Sequence, residues 1–237
     1  MKVCYSLAVN KTQHQNLQGG DLMKKTADQT NNTTELVFIL DQSGSMSPLR
    51  DDTIGGFNTM LEQQKKTGAN VLVSTVMFSE TSAVVHDRVR IEDVRQLTRD
   101  DYAPMGCTAL LDAVGSAVKH ISNIHKYARS EDIPHKTMFV ITTDGMENAS
   151  THYSAKEVKR LIEKQKEKYN WEFLFIGANI DSVQTAENMG IDARRAVNYT
   201  ASANGTRSLF KGVGKAVTEA CMCDREEISD DWKADIE

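Results

Sequence analysis

Asp41-Gln42-Ser43-Gly44-Ser45 places a carboxylate and two hydroxyls on alternate positions, with Gly44 permitting a tight turn. Side chains at i, i+2 and i+4 of such a loop can converge on one point. Two further stretches carry small oxygen ligands. One is Met105-Gly106-Cys107-Thr108, running into Ala109-Leu110-Leu111-Asp112; the other is Thr142-Thr143-Asp144-Gly145. Hydroxyls and carboxylates gathered in this way are ligands for a hard divalent cation.

The flanking elements must bring these loops together. Leu36-Val37-Phe38-Ile39-Leu40 is a continuous apolar run that ends at Asp41, the pattern of a strand buried on both faces. Val71 to Phe78, Thr137 to Thr142 and Trp171 to Ile176 read the same way, Ala83 to Val89 as an antiparallel partner of the second run, and Ala196 to Tyr199 as a short edge strand. Amphipathic helices lie between them. Ile54, Phe57, Met60 and Leu61 mark one, and Leu110, Leu111, Val114, Val118, Ile121 and Ile124 another. Ser154-Ala155-Lys156-Glu157 is a capping box that opens a third, Asp181 caps a fourth, and Ser208 to Cys221 forms a fifth. Gly68 stops the first. The alternation predicts an α/β doubly wound, Rossmann-like, mostly parallel six-stranded sheet with one antiparallel edge strand and helices on both faces. Ligands of such sheets sit at the carboxyl ends of the strands, at the topological switch point, where all three loops can meet.

Asp41-x-Ser43-x-Ser45, then Thr108, then Asp144-Gly145 resembles the metal-ion-dependent adhesion site of von Willebrand factor type A (vWA) domains, over about Glu35 to Cys221. The resemblance implies that Ser43 and Ser45 bind the metal directly and Thr108 directly or through water. It implies that Asp41 and Asp144 act mostly through water and through hydrogen bonds to the serines. An open coordination position then takes an acidic residue from a partner. An all-oxygen set with two carboxylates suits Mg²⁺ first, then Mn²⁺ or Ca²⁺. Phe38 to Met46, Asp51 to Asn58, Ile141 to Ser150 and Phe175 to Asp181 are similar to stand-alone bacterial cytoplasmic vWA proteins. That narrower match sharpens the fold more than the role, whereas the vWA resemblance as a whole implies a non-enzymatic, cytoplasmic binding module whose partner presents Glu or Asp, such as an AAA+ ATPase or an operon neighbour. Cys107 departs from the small residue usual at its position and sets a thiol beside the site.

The competing reading is a metal-assisted phosphoester hydrolase using the same ion. Ser43 breaks the Asp-x-Asp phosphatase pattern, and no motif places a Ser-His-Asp set. Gly212-Val213-Gly214-Lys215 resembles the end of a P-loop, but Leu209 and Ala216 break it. Cys221-Met222-Cys223 lacks an obvious second pair for zinc. His86, His120, His125, His135 and His152 read as surface or loop residues, Asp112 as a helix-start charge, and Glu147 as a candidate for the rim of the site.

The 237 residues are 40% hydrophobic and carry a formal charge of −5, which gives no electrostatic reason to expect nucleic acid or an anionic membrane. No apolar run is long enough to span a bilayer, and the first residues make a poor secretory signal. The four cysteines, Cys4, Cys107, Cys221 and Cys223, read as free thiols in a reducing cytosol. Lysines between Lys156 and Lys168 alternate with Glu157, Glu163 and Glu167, as on a solvated helix face. Residues 1–34 are polar and read as a disordered extension before a vWA domain over 35–221. Codons for Gly19-Gly20-Asp21-Leu22 can spell a ribosome-binding sequence, which makes Met23 an expected alternative to Met1 as the start. Residues 222–237 form an acidic tail with Trp232 as its one large aromatic. If flexible, such a tail could offer a carboxylate to its own site, making an autoinhibited module, or to a neighbouring molecule's site, causing weak metal-dependent self-association; its short reach favours the second.

Overall fold

Branched and aromatic residues crowd every run expected to be a strand, and such residues fit a pleated sheet covered on both faces. The computed structural model of the protein describes residues 32–223 and 227–236. Its strands are β1 (Thr34–Asp41), β2 (Val71–Phe78), β3 (Ser82–Arg90), β4 (Lys136–Thr143), β5 (Glu172–Gly177) and β6 (Ala196–Asn198). They form one six-stranded sheet in the order β3-β2-β1-β4-β5-β6. Only the β2–β3 pairing is antiparallel. The expected architecture is therefore the one observed.

Side chains alternate across β1 and build two cores. Leu36, Phe38 and Leu40 face α1 (Arg50–Lys65) and α5 (Ala203–Met222), whose Phe57, Met60, Leu61, Leu209, Val213 and Val217 are buried there. Val37 and Ile39 face α2 (Leu110–Tyr127), α3 (Ala155–Tyr169) and α4 (Ser182–Asn188). The period-2 alternation of a strand thus feeds helices on both faces. The helix limits follow local chemistry. Ser154 and Glu157 close the capping box of α3, Asn170 ends that helix in a left-handed conformation, and the Asp181 side chain caps α4. After α1 the chain turns at Gly68, whose φ is +69°.

Several expectations shift. Thr33 and Thr34 are buried and Thr34 opens β1, so the ordered domain begins inside the segment expected to be a disordered extension. Residues 1–31 of that segment, including Met23, lie outside the described residues. α5 starts at Ala203, capped by Ser202, five residues before Ser208. His86 is buried with Nδ1 3.0 Å from Thr75 Oγ1, and burial pushes its pKa down. His125 Nε2 lies 2.5 Å from an oxygen of Glu35, which is fully buried and also paired with Arg88 at 2.6 Å. These two histidines are therefore not simple surface residues.

The largest departure is the acidic tail. Ile228, Trp232 and Ile236 are buried against the core that α1 and α5 build. Asp230 pairs with Arg195 at 3.0 Å, Asp235 with Lys211 at 2.8 Å and with Lys215, and Glu219 accepts from the Ser229 N–H and hydroxyl. Residues 227–236 are a packed strap, so the reach of a free tail does not apply to them. Three apolar side chains spaced four residues apart drive this, each stabilised by roughly 1.5–3 kcal/mol on full burial.

Candidate metal centre

The strand order reverses direction between β1 and β4, which are paired in parallel with Leu40 opposite Thr142. Asp41 and Asp144 therefore leave the sheet side by side, at the place where a doubly wound sheet has an open crevice.

Asp41 is the anchor. It is 1% exposed, one carboxylate oxygen accepts from the Ser43 N–H at 2.6 Å, and the other accepts from the Thr143 hydroxyl at 2.6 Å. Its backbone carbonyl accepts from the buried Tyr102 hydroxyl. Ser43 Oγ is 3.1 Å from Ser45 Oγ, and Ser45 Oγ donates to Asp144 at 2.5 Å. Thr108 reaches the same point: a methyl on Gly145 would lie 3.5 Å from Thr108 Oγ1 and 3.9 Å from Ser45 Oγ. All the residues singled out for metal binding, Asp41, Ser43, Ser45, Thr108 and Asp144, thus share one cluster.

Backbone bonds lock the first two of these loops to each other and the second to the end of β2. Gly44 N–H donates to Gly106 O at 3.0 Å, Met105 N–H to Gln42 O at 2.9 Å and Ala109 N–H to Ser79 O at 2.8 Å. Gly106 has a φ of +73°, open to glycine at little cost, whereas Gly44 is not among the positive-φ residues. The tight-turn role expected of Gly44 thus belongs to Gly106.

Residues that the motif did not single out position the cluster. Asn148 clasps Thr108 with its side chain accepting from Thr108 N–H at 2.8 Å and its own N–H donating to Thr108 O at 3.0 Å. Glu147 is not at the rim. Its carboxylate accepts from the N–H groups of Leu111, Ala149 and Ser150 and from the Ser150 hydroxyl, so it ties the start of α2 to the loop after β4. Asp112 holds the N–H groups of Thr151, His152 and Tyr153, a tether beyond its helix-start charge. Thr143, Glu147 and Asn148 stood in the quoted Ile141-to-Ser150 stretch, whereas nothing local marked Tyr102.

The electrostatics leave a charge to be balanced. Among the described residues the hydrogen-bond partners of Asp41 and Asp144 are backbone N–H groups and hydroxyls, none of them cationic. Burial raises the Asp144 pKa; the Ser45 hydrogen bond opposes this and the Asp41 charge adds to it. The Tyr102 and Tyr199 hydroxyls are also pushed above the ordinary phenol range, first by burial and then by these two carboxylates. Buried carboxylates without a counter-charge are costly, and a cation among these oxygens would relieve that cost. The donor set therefore fits a hard divalent ion. Among the described residues no group of three or more His, Cys, Asp and Glu side chains could hold a metal, so Cys221-Met222-Cys223 makes no such group and any site here must recruit hydroxyls. Met105 and Met146, on the loops that carry Thr108 and Asp144, are exposed, as is Cys107.

A family model described as "VWA domain containing CoxE-like protein" matches residues 5–167. No curated protein matches the chain. Among solved structures, the proximal thread matrix protein 1 of the mussel byssus, with a zinc-occupied MIDAS motif, superposes with a TM-score of 0.52 at 14% identity, covering 78% of this chain and 46% of that one. A von Willebrand factor type A protein from Catenulispora acidiphila gives 0.51 at 16% identity, covering 78% and 42%. The PilB minor pilin of Streptococcus sanguinis gives 0.58 at 11% identity, covering 81% and 62%. The chain thus matches less than two thirds of the length of each, and at these identities the likeness speaks for the fold alone.

Proposed function

The chain belongs to the family of VWA domain containing CoxE-like proteins, and on that premise we propose that it is a metal-dependent protein-binding module. Asp41, Ser43, Ser45, Thr108 and Asp144 would hold one divalent cation, with Mg²⁺ the first candidate and Mn²⁺ or Ca²⁺ next. A Glu or Asp of a partner protein would complete its coordination. The observation that carries this reading is the Ser43–Ser45–Asp144 chain of short hydroxyl and carboxylate contacts, with Thr108 Oγ1 beside it and no cationic hydrogen-bond partner on either aspartate. The zinc in the byssus protein's MIDAS motif supports a divalent ion on this fold.

The bound ion would supply an electrophilic centre for an anionic oxygen. The chain's own residues do the positioning. Thr143 and the Ser43 N–H occupy both oxygens of Asp41, which keeps that carboxylate turned toward the loop. Asp144 accepts from Ser45 and so orients that hydroxyl's lone pairs. Hydroxyls as the nearest ligands neutralise little of a cation's charge, leaving it receptive to a partner's carboxylate. The exposed, apolar Met105 and Met146 belong to the loops that carry Thr108 and Asp144. For the hydrolase alternative a general base is needed, and Glu147, the rim candidate, is committed to backbone N–H groups instead.

Affinity capture from the native host's lysate, with Mg²⁺ in one arm and EDTA in the other, tests the proposal. Partners retained only with Mg²⁺ and lost with Ser43→Ala support it; retention indifferent to both would refute it. An AAA+ ATPase or the product of a neighbouring gene is the first partner to look for.

A further inference from the structure

The end of the sheet opposite Asp41 and Asp144 holds a second feature, independent of the metal reading. There the C-terminal turns of α2 and α3, the segment before β4 and Trp171 just ahead of β5 line a cavity of about 320 Å³. Its walls include His125, Lys126, Lys164, Gln165, Tyr169 and Trp171, and no Asp or Glu lines it, although the chain as a whole carries a net charge of −5. Lys126 and Lys164 are exposed and make no ion pair among the described residues; the Lys126 ammonium lies 5.0 Å from the Tyr127 ring. Gln165 is 3% exposed, and its side-chain oxygen is buried without a hydrogen-bond partner among the described residues. Leaving such an acceptor unpaired is costly, so a ligand donor that reaches it is favoured.

The wall is already rigid. Trp171 stacks on Phe139 at 5.4 Å, His125 meets Trp171 edge-on at 5.3 Å, and Glu35 fixes His125 from behind. Tyr169 stands 61% exposed at the mouth.

We propose that this cavity binds a purine nucleoside monophosphate. A glutamine side chain offers one acceptor beside one donor, the pattern that pairs with a purine edge. Tyr169 supplies an aromatic face for a base, and aromatic stacking tolerates any purine. Lys126 and Lys164 supply point charges for a phosphate. The volume sits at the small end of ligand sites, which suits a mononucleotide and not a dinucleotide.

Calorimetric titration of the full chain in EDTA, with AMP, GMP, adenosine and inorganic phosphate in separate arms, tests this site apart from the metal site. AMP or GMP is expected to bind at least about tenfold tighter than adenosine or phosphate alone. The double variant Lys126→Ala/Lys164→Ala should weaken nucleotide binding by about tenfold or more while its melting temperature and its adenosine affinity stay put. Gln165→Leu should narrow the preference of adenosine over a ribose phosphate that lacks the base. No binding of either nucleotide, phosphate binding as tight as nucleotide, or nucleotide affinity indifferent to the lysine variant would each overturn the proposal. Loss of Mg²⁺ binding in Asp41→Ala bears only on the other site.

Discussion

Asp41 has the most consequential contacts in the molecule, because both its oxygens and its carbonyl are used. Asp41→Ala and Ser43→Ala are each expected to abolish Mg²⁺ binding in calorimetry while the circular dichroism spectrum stays that of the native sheet. Unchanged affinity in Asp41→Ala would remove the site assignment. Thr143 touches Asp41 from the neighbouring strand at 2.6 Å. Removing a group that orients a metal ligand typically lowers affinity ~10–100-fold, and Thr143→Val is expected in that range. Tyr102 reaches the same site from a loop anchored by Asp101. The Arg95 guanidinium, with burial opposing and Thr98 assisting, holds the Asp101 carboxyl well below the usual range. A depressed folded pKa gives stability that is complete above the unfolded value, 3.8, and is lost as pH falls through the folded one. The gap in melting temperature between wild type and Asp101→Asn should therefore be largest near neutral pH and shrink by about pH 2.5. A gap that is constant over that interval would contradict the assignment.

At the scale of elements, α3 depends on its first turn. Its sequence has few apolar residues, with Val158 and Ile162 as its buried hydrophobic anchors, and Ser154 and Glu157 close the capping box at its start. Replacing an N-cap serine by alanine costs about 1 kcal/mol, and Ser154→Ala should lower the free energy of unfolding by that amount in urea melts. Ser154→Asp should restore most of it, since aspartate caps equally well. No change in Ser154→Ala would mean that packing alone holds the helix. α5 was harder to delimit because Ala203-Asn204-Gly205-Thr206 is a poor helix former. Its early start rests on Ser202 accepting from Gly205 N–H at 3.1 Å and on a close passage past Thr200, where a Cβ on Gly205 would lie 1.9 Å from the carbonyl oxygen.

The whole molecule is closed by its C-terminal strap. Trp232 is 1% exposed, and a side chain on Gly212 would strike the Trp232 carbonyl at 2.6 Å, so strap and α5 are in intimate contact. Truncating a buried tryptophan to alanine typically costs ~3–5 kcal/mol. Trp232→Ala should lie at the lower end of that range, because its indole N–H has no hydrogen-bond partner to lose. Cutting the chain after Cys223 should lower the melting temperature further by removing Ile228 and Ile236 as well. Stability indifferent to both changes would show that the strap contributes no packing energy. Among the described residues no helix is long and apolar enough to cross a membrane.

What the sequence alone determined is whatever local chemistry writes into neighbouring residues. Strands covered on both faces read as unbroken apolar runs, helix caps act over three residues, and Asp41-x-Ser43-x-Ser45 concentrates its oxygens in one loop. Those signals sufficed for the six-stranded sheet and for most helix limits, and they named five residues that the fold gathers in one cluster. Only the tertiary structure decided which distant groups serve them. Tyr102 is sixty-one positions from the carbonyl it holds, and Thr143 is more than a hundred from Asp41. The tail shows the same division. Its acidic residues read locally as a solvated end, whereas Ile228, Trp232 and Ile236 are buried because α1 and α5 leave an apolar surface beside them. The cavity around Gln165 likewise arises where two helices and a strand meet from separate parts of the chain. A single side chain's partners across the fold leave no periodic or compositional trace, since only the packing of complete elements brings them within reach.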